Sequence, residues 1–117
     1  MESNRIDVNY ISEFVNMAGK EPLIEAIGLF KTSLFEYMDN CRIFFSKGVY
    51  DDAAKEMHKI KGAASSIGLC AIMPVAKEYE LEIEEKEGEF PLEEKLNDFK
   101  SEVLKDLEAL ENFVNNK

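Results

Sequence analysis

The sequence predicts an all-α protein: an antiparallel up-and-down four-helix bundle with a short additional N-terminal helix. Three observations lead there. Apolar residues recur at spacings of three and four along most of the chain, the period of one helix face. Gly or Pro punctuates that pattern at short links. No stretch carries the strict alternation of a half-buried strand. With 117 residues the chain has room for one proper core, and residues 1–117 are read as a single helical domain.

Five segments carry the helical period. The first runs from about Asp7 to Ala18, with Ile11, Phe14, Val15 and Ala18 on one side and Gly19 as the stop. It is short and is expected to pack across one end of the bundle. The second opens at Pro22, a residue preorganised for a first helical turn, and ends before Gly48. Its stripe is Leu23, Ile27, Phe30, Leu34, Tyr37 or Met38, Cys41, and Phe44 or Phe45. The third begins at Asp51 or Asp52, either of which can cap free amides, and ends near Gly68. Ala53, Met57, Ile60, Ala64 and Ile67 form its inner face. The fourth runs from about Ala71 or Met73 to Glu87, stopped by Gly88, because Pro74 is tolerated only near a helix start. The fifth spans about Pro91 to Val114, with Leu92, Leu96, Phe99, Val103, Leu107, Leu110 and Val114 inward.

Charge and composition exclude several function classes. The net charge is −10, which argues against nucleic acid as a partner, since phosphates demand a basic face. It equally disfavours a polybasic membrane-surface protein. The longest apolar run, Cys70 to Ala76, contains Pro74 and falls far short of the ~20 residues that span a bilayer. Met1-Glu2-Ser3-Asn4-Arg5 lacks the charged-then-apolar layout of an export signal, so a cytoplasmic protein is expected, and Met1 with its short polar lead-in favours a stand-alone protein while leaving a domain of a hybrid kinase open. Cys41 and Cys70 sit in apolar patterns and are read as buried free thiols of a reducing compartment. A single His removes every two-His metal motif, and inward positions read as apolar, so no metal site is expected. The Glu-rich stretch from Glu78 to Glu94 is read as a solvated helix face plus loop.

The third helix departs from this local consistency. Gly62 sits mid-helix, where Gly costs roughly 0.8–1 kcal/mol relative to Ala. With Met57, Ile60, Ala64 and Ile67 inward, His58, Lys61, Gly62 and Ser65 share a neighbouring face, and Ala54 lies one turn before His58. The imidazole then stands clear of its own helix, with room for another backbone to approach. If helices three and four form a hairpin turning near Leu69, His58 lies level with Glu80 and Lys61 with Lys77. A carboxylate there could accept the Nδ1 proton and leave the Nε2 lone pair outward, the arrangement of a nucleophilic His. From the residues alone, Glu80 is either that partner or one of many exposed Glu on an acidic helix. Lys55, Lys59 and Lys61 make the surroundings of His58 locally basic, and Lys61 and Lys77 could offset the charge of a phosphoryl group.

The run His58-Lys59-Ile60-Lys61-Gly62-Ala63-Ala64-Ser65-Ser66-Ile67-Gly68-Leu69 resembles the signature of histidine-containing phosphotransfer (HPt) domains. That signature is His, any residue, an aliphatic, Lys, Gly, two small residues, two small or polar ones, an aliphatic and Gly. The Leu29-Phe30 region and the Gly48-Val49-Tyr50-Asp51 link are similar to the family pattern as well, and Pro74 departs from it. The resemblance is nearest to the domains of hybrid sensor kinases and their stand-alone relatives. It implies a four-helix bundle in which His58 is phosphorylated on Nε2, Lys61 lies near the phosphoryl group, Gly62 leaves space for the partner, and Glu80 binds Nδ1. It implies a phosphocarrier without kinase activity that accepts a phosphoryl group from the aspartyl-phosphate of one response-regulator receiver domain and passes it to another. A hybrid sensor kinase is a further possible partner. No cofactor of its own is implied, since Mg²⁺ belongs to the receiver. No nucleotide-binding motif is present in the sequence. Ala54, Lys55, Lys59, Gly62, Ser65, Ser66 and Lys77 are the candidate partner-binding residues, with helix one and the start of helix two adding apolar contacts. The rival class is a non-catalytic helical adaptor that binds receiver or other signalling domains.

Overall fold

A computed structural model describes residues 5–117, and every regular element among them is helical. The export-signal expectation falls mainly on residues 1–4, which lie outside the described residues. The helices are α1 (Val8–Ala18), α2 (Lys20–Ser46), α3 (Tyr50–Ser66), α4 (Ile72–Lys86) and α5 (Leu92–Asn115). A single 3₁₀ turn, Glu87–Glu89, joins the last two.

The ends of these helices differ from the sequence expectation for identifiable reasons. α2 starts two residues before Pro22, which occupies its first turn, where a missing N–H leaves no helical bond unmade. Asp51 and Asp52 do not cap α3. Val49 holds the cap position, and both carboxylates lie in the first turn against the positive helix end. α3 stops at Ser66, and Gly68, at φ +80°, makes the turn toward α4. α4 accommodates Pro74 as its third residue. At its far end the left-handed backbone falls on Glu87, at φ +52°, and not on Gly88. Gly88 answers a different need: a Cβ there would come within 3.0 Å of the Tyr50 hydroxyl.

The predicted stripes of α2, α3 and α5 are the core. Leu23, Ile27, Phe30, Leu34, Met38 and Cys41 are buried on α2, and all seven inward residues of the fifth segment are buried on α5. α3 packs against α2 on one side and α4 on the other, and α5 packs against both α2 and α4. Two ion pairs bracket the α2–α5 seam, Arg42–Glu93 at 2.9 Å and Lys31–Glu111 at 2.8 Å. Since the later residue of α2 meets the earlier one of α5, these two helices run in opposite directions.

Two corrections concern the interior. Glu56 and Asp106 are both buried, so inward positions are not uniformly apolar. Each is paired, as a buried charge must be: Glu56 with Lys59, and Asp106 with Arg5. Cys41 is buried as expected, but Cys70 is only half-buried, and Ala18 is exposed.

The N-terminal segment is tied to the turn between α3 and α4. The Asp7 amide donates to the Gly68 carbonyl at 2.8 Å, and the Tyr10 hydroxyl donates to the Ser66 carbonyl at 2.9 Å. The Arg5 guanidinium reaches across to Asp106 and Glu102 on α5. Gly68 lies under this segment so closely that a Cβ would meet Ile11 Cγ1 at 2.9 Å.

Two stability predictions follow from this packing. Gly68→Ala combines an unfavourable positive φ with overpacking against Ile11, and should lower the unfolding free energy by roughly 2–4 kcal/mol in urea titration. Burial holds the Cys41 thiol far above its usual range, at about 12. The unfolded thiol ionises from about pH 9 while the folded one keeps its proton, so the unfolded state binds fewer protons over that window. Stability should therefore fall by up to about 1.4 kcal/mol per pH unit between pH 9 and 12 on account of Cys41. The same titration of Cys41→Ala should show a correspondingly smaller slope.

Candidate functional site on α3 and α4

The rotation of α3 is fixed by what it buries. Ala53, Met57, Ile60 and Ala64 are inside, and they lie on one helix face. His58 follows Met57 and is turned out, its side chain 62% exposed. On α4, Ile72, Ala76, Tyr79 and Ile83 are inside, with the Tyr79 ring 5.8 Å from those of both Phe90 and Phe99. That anchorage brings Glu80 to the edge of the α3–α4 seam, where its side chain is 21% exposed. Glu80 Oε1 lies 3.4 Å from His58 Nδ1. The contact is longer than an ordinary hydrogen bond, and such bonds in unliganded sites commonly tighten when the site is engaged. Of the two sequence readings of Glu80, the one that sets it opposite the imidazole matches this placement.

The lysines are arranged differently from the sequence expectation. Lys55 is 3.8 Å from Asp52, and Lys59 donates to Glu56 at 2.8 Å. The hydrogen bond that Lys59 donates to Glu56 holds its ammonium above the usual range. The expected basic cluster is therefore partly neutralised within α3 itself. Lys61, half-buried, and Lys77, exposed, make no ion pair or side-chain hydrogen bond among the described residues.

Gly62 faces open space, with nothing within 4 Å of where its Cβ would be, and it has ordinary helical backbone. Neither close packing nor a left-handed conformation accounts for it. Ser65 and Ser66 are exposed beyond it, with the Ser66 hydroxyl donating to the Ala63 carbonyl. Ala54 must be removed from the candidate surface: it is only 1% exposed. α3 is covered by both α2 and α4, which widens its buried face beyond a single stripe and takes Ala54 inside.

A shallow groove of about 200 Å³ runs between α2 and α3. Ala26, Leu29, Phe30 and Ser33 of α2 line one wall, and Ala63 and Ser66 of α3 the other. Leu29 is 67% exposed there, an apolar side chain left in solvent next to the site. The sequence singled out Leu29-Phe30 only as part of a family pattern. The available signal was that Leu29 falls out of phase with the Ile27, Phe30 and Leu34 stripe.

An imidazole whose Nδ1–H points to a carboxylate keeps the Nε2 lone pair free, and here the ring is exposed. Such a group can take an electrophile presented by a second molecule. Comparison with protein families matches the Hpt domain over residues 25–114. The chain belongs to this family, whose members are phosphocarriers that work with receiver domains in His–Asp phosphorelays and are not kinases. No curated protein and no solved structure matches the chain. No helix among the described residues is long and apolar enough to cross a membrane.

The open surroundings of Gly62 give a sharp expectation. Gly62→Ala should stabilise the fold by about 0.8–1 kcal/mol, because it gains helix propensity and meets no atom. Gly28, also mid-helix with nothing within 4 Å, should gain by the same amount. Paired thermal melts of the two variants check this, and a destabilised Gly62→Ala would mean that the glycine is structural.

Proposed function

We propose that the protein is a phosphorelay intermediate whose phosphoryl carrier is His58. His58 Nε2 attacks the phosphorus of a receiver aspartyl-phosphate, a P–N bond forms, and the aspartyl P–O bond breaks to release the carboxylate. In the second half of the relay the aspartate of another receiver takes the phosphoryl group and restores the imidazole. The observation that carries this reading is the exposed His58 ring with Nδ1 turned to Glu80.

Glu80 holds the ring orientation and balances the charge that builds on the imidazole as Nε2 bonds to phosphorus. Lys61, and Lys77 from α4, face the oxygens of the transferred group as partners for its negative charge. Gly62 leaves clearance for the receiver backbone, and Lys55, Ser65 and Ser66 frame the contact, whereas Lys59, tied to Glu56 and drawn toward Tyr37, is left out of it. The Leu29 groove adds apolar area. The chemistry is largely positioning and charge stabilisation, with Mg²⁺ supplied by the receiver.

We take the four long helices α2–α5 as an antiparallel up-and-down bundle and α1 as the short additional helix. The opposed ion pairs of α2 and α5 and the His58–Glu80 juxtaposition support this. We take residues 1–117 as one domain, and a reducing, cytoplasmic setting suits the two thiols, which no disulfide joins.

The test is to incubate the protein with a phosphorylated receiver and Mg²⁺ and to follow acid-labile label. Label should reach wild type and be abolished in His58→Gln. Gly62→Gln should cut the transfer rate at least tenfold while the fold persists. Label surviving in His58→Gln would defeat the assignment. Receiver binding without any label in the wild type would favour the adaptor reading.

A further inference from the structure

Glu56 is a buried acid two residues before His58 that the transfer chemistry leaves unused. It is 3% exposed. Its Oε2 accepts a hydrogen bond from the Lys59 ammonium at 2.8 Å, while its buried Oε1 has no hydrogen-bond partner among the described residues. A carboxylate buried with one oxygen unsatisfied destabilises the fold, and a neutral side chain of similar size would avoid that penalty. Its partner is no reason for burial, since the Lys59 side chain is 53% exposed and could pair with a carboxylate in solvent.

What the burial accomplishes is geometric. It draws the Lys59 ammonium back along α3 toward α2, where it lies 5.8 Å from the centroid of the Tyr37 ring. Lys59 is the residue after His58, about 100° round the helix, and its long side chain could otherwise swing to the histidine. We infer that Glu56 is a positioning residue that holds Lys59 away from the phosphoryl-accepting face of His58, leaving Lys61 as the cation that α3 offers there. The inference rests on the proposed role of His58. It also has a kinetic sense. A second cation that bound the resting phosphohistidine as well as the transition state would load the carrier without helping it unload.

The experiment uses the full chain and phosphoramidate, a donor that needs no receiver: His58 Nε2 bonds to phosphorus, the donor's own P–N bond breaks, and its protonated nitrogen leaves as ammonia. Initial labelling rates are compared for wild type, Glu56→Gln, Lys59→Met and the double variant, each with its thermal melt. Glu56→Gln should label roughly three- to tenfold faster, the Coulomb effect of one freed cation near the PO3 oxygens of an anionic donor at the surface. Lys59→Met alone and the double variant should both stay within about twofold of wild type, because a tethered or absent Lys59 contributes nothing. An unchanged rate in folded Glu56→Gln would overturn the inference. So would a gain that persists in the double variant, which would assign it to the loss of the carboxylate charge itself. If Glu56→Gln does not fold, Lys59→Met decides: a tenfold loss would show Lys59 already acting at the site. An unlabelled wild type would overturn this inference together with the phosphocarrier role, and so separates the two failures.

Discussion

The rotation of α3 about its own axis is the constraint on which the site depends. It is set by burial: Met57, Ile60 and Ala64 have no exposed surface, and α2 and α4 cover the helix from both sides. Turning α3 by one residue, so that His58 takes the buried place of Met57, would carry Ile60 into the exposed place of Lys59. Losing the burial of one such side chain costs about 1.5–3 kcal/mol, and an imidazole inside would need a new partner as well. A reactive group on a rigid helix, aimed by residues on the other side of that helix, is held more precisely than one on a loop. Glu80 is aimed in the same way, since Tyr79, packed between Phe90 and Phe99, fixes α4 beside it.

The register between α3 and α4 has its own anchor at the turn. Gly68 takes a left-handed backbone, and the N-terminal segment closes over it through the Asp7 amide and the Tyr10 hydroxyl. Arg5 links that segment to buried Asp106 on α5. The turn that sets how far α4 has advanced when it passes His58 is thus clamped by a segment remote from it in sequence. Pro74 does not disturb this, because α4 places it where the helix makes no demand on its nitrogen.

The stripes, the turn at Gly68 and the level placement of His58 and Glu80 follow from local periodicity and simple hairpin arithmetic, although the residues alone left Glu80 open between partner and exposed Glu. Helix starts were less legible in the sequence: α3 begins at Tyr50 without side-chain capping, and no local preference of Val49 announces it. The burial of Ala54 could not be read from a single stripe, because it depends on a second neighbouring helix. Glu56 and Asp106 were missed for a related reason. Acidic residues in an acidic chain look solvated, and only the tertiary placement of Lys59 and Arg5 reveals them as paired and buried.

Gly62 and the lysines show how stability and charge are set at this face. An alanine at 62 would favour the helix and touch nothing, so the glycine has no account within the chain itself. A position kept below its attainable stability is expected where a second molecule must approach, and it lies one turn beyond His58. Charge follows the same logic. A count of lysines makes the neighbourhood basic, yet Asp52 and Glu56 engage two of them along α3. What remains is an exposed imidazole with a carboxylate beside one nitrogen, and Lys61 and Lys77, which make no ion pair among the described residues. Under the proposed carrier role such a balance matters, because a group bound too tightly in the resting state cannot be passed on.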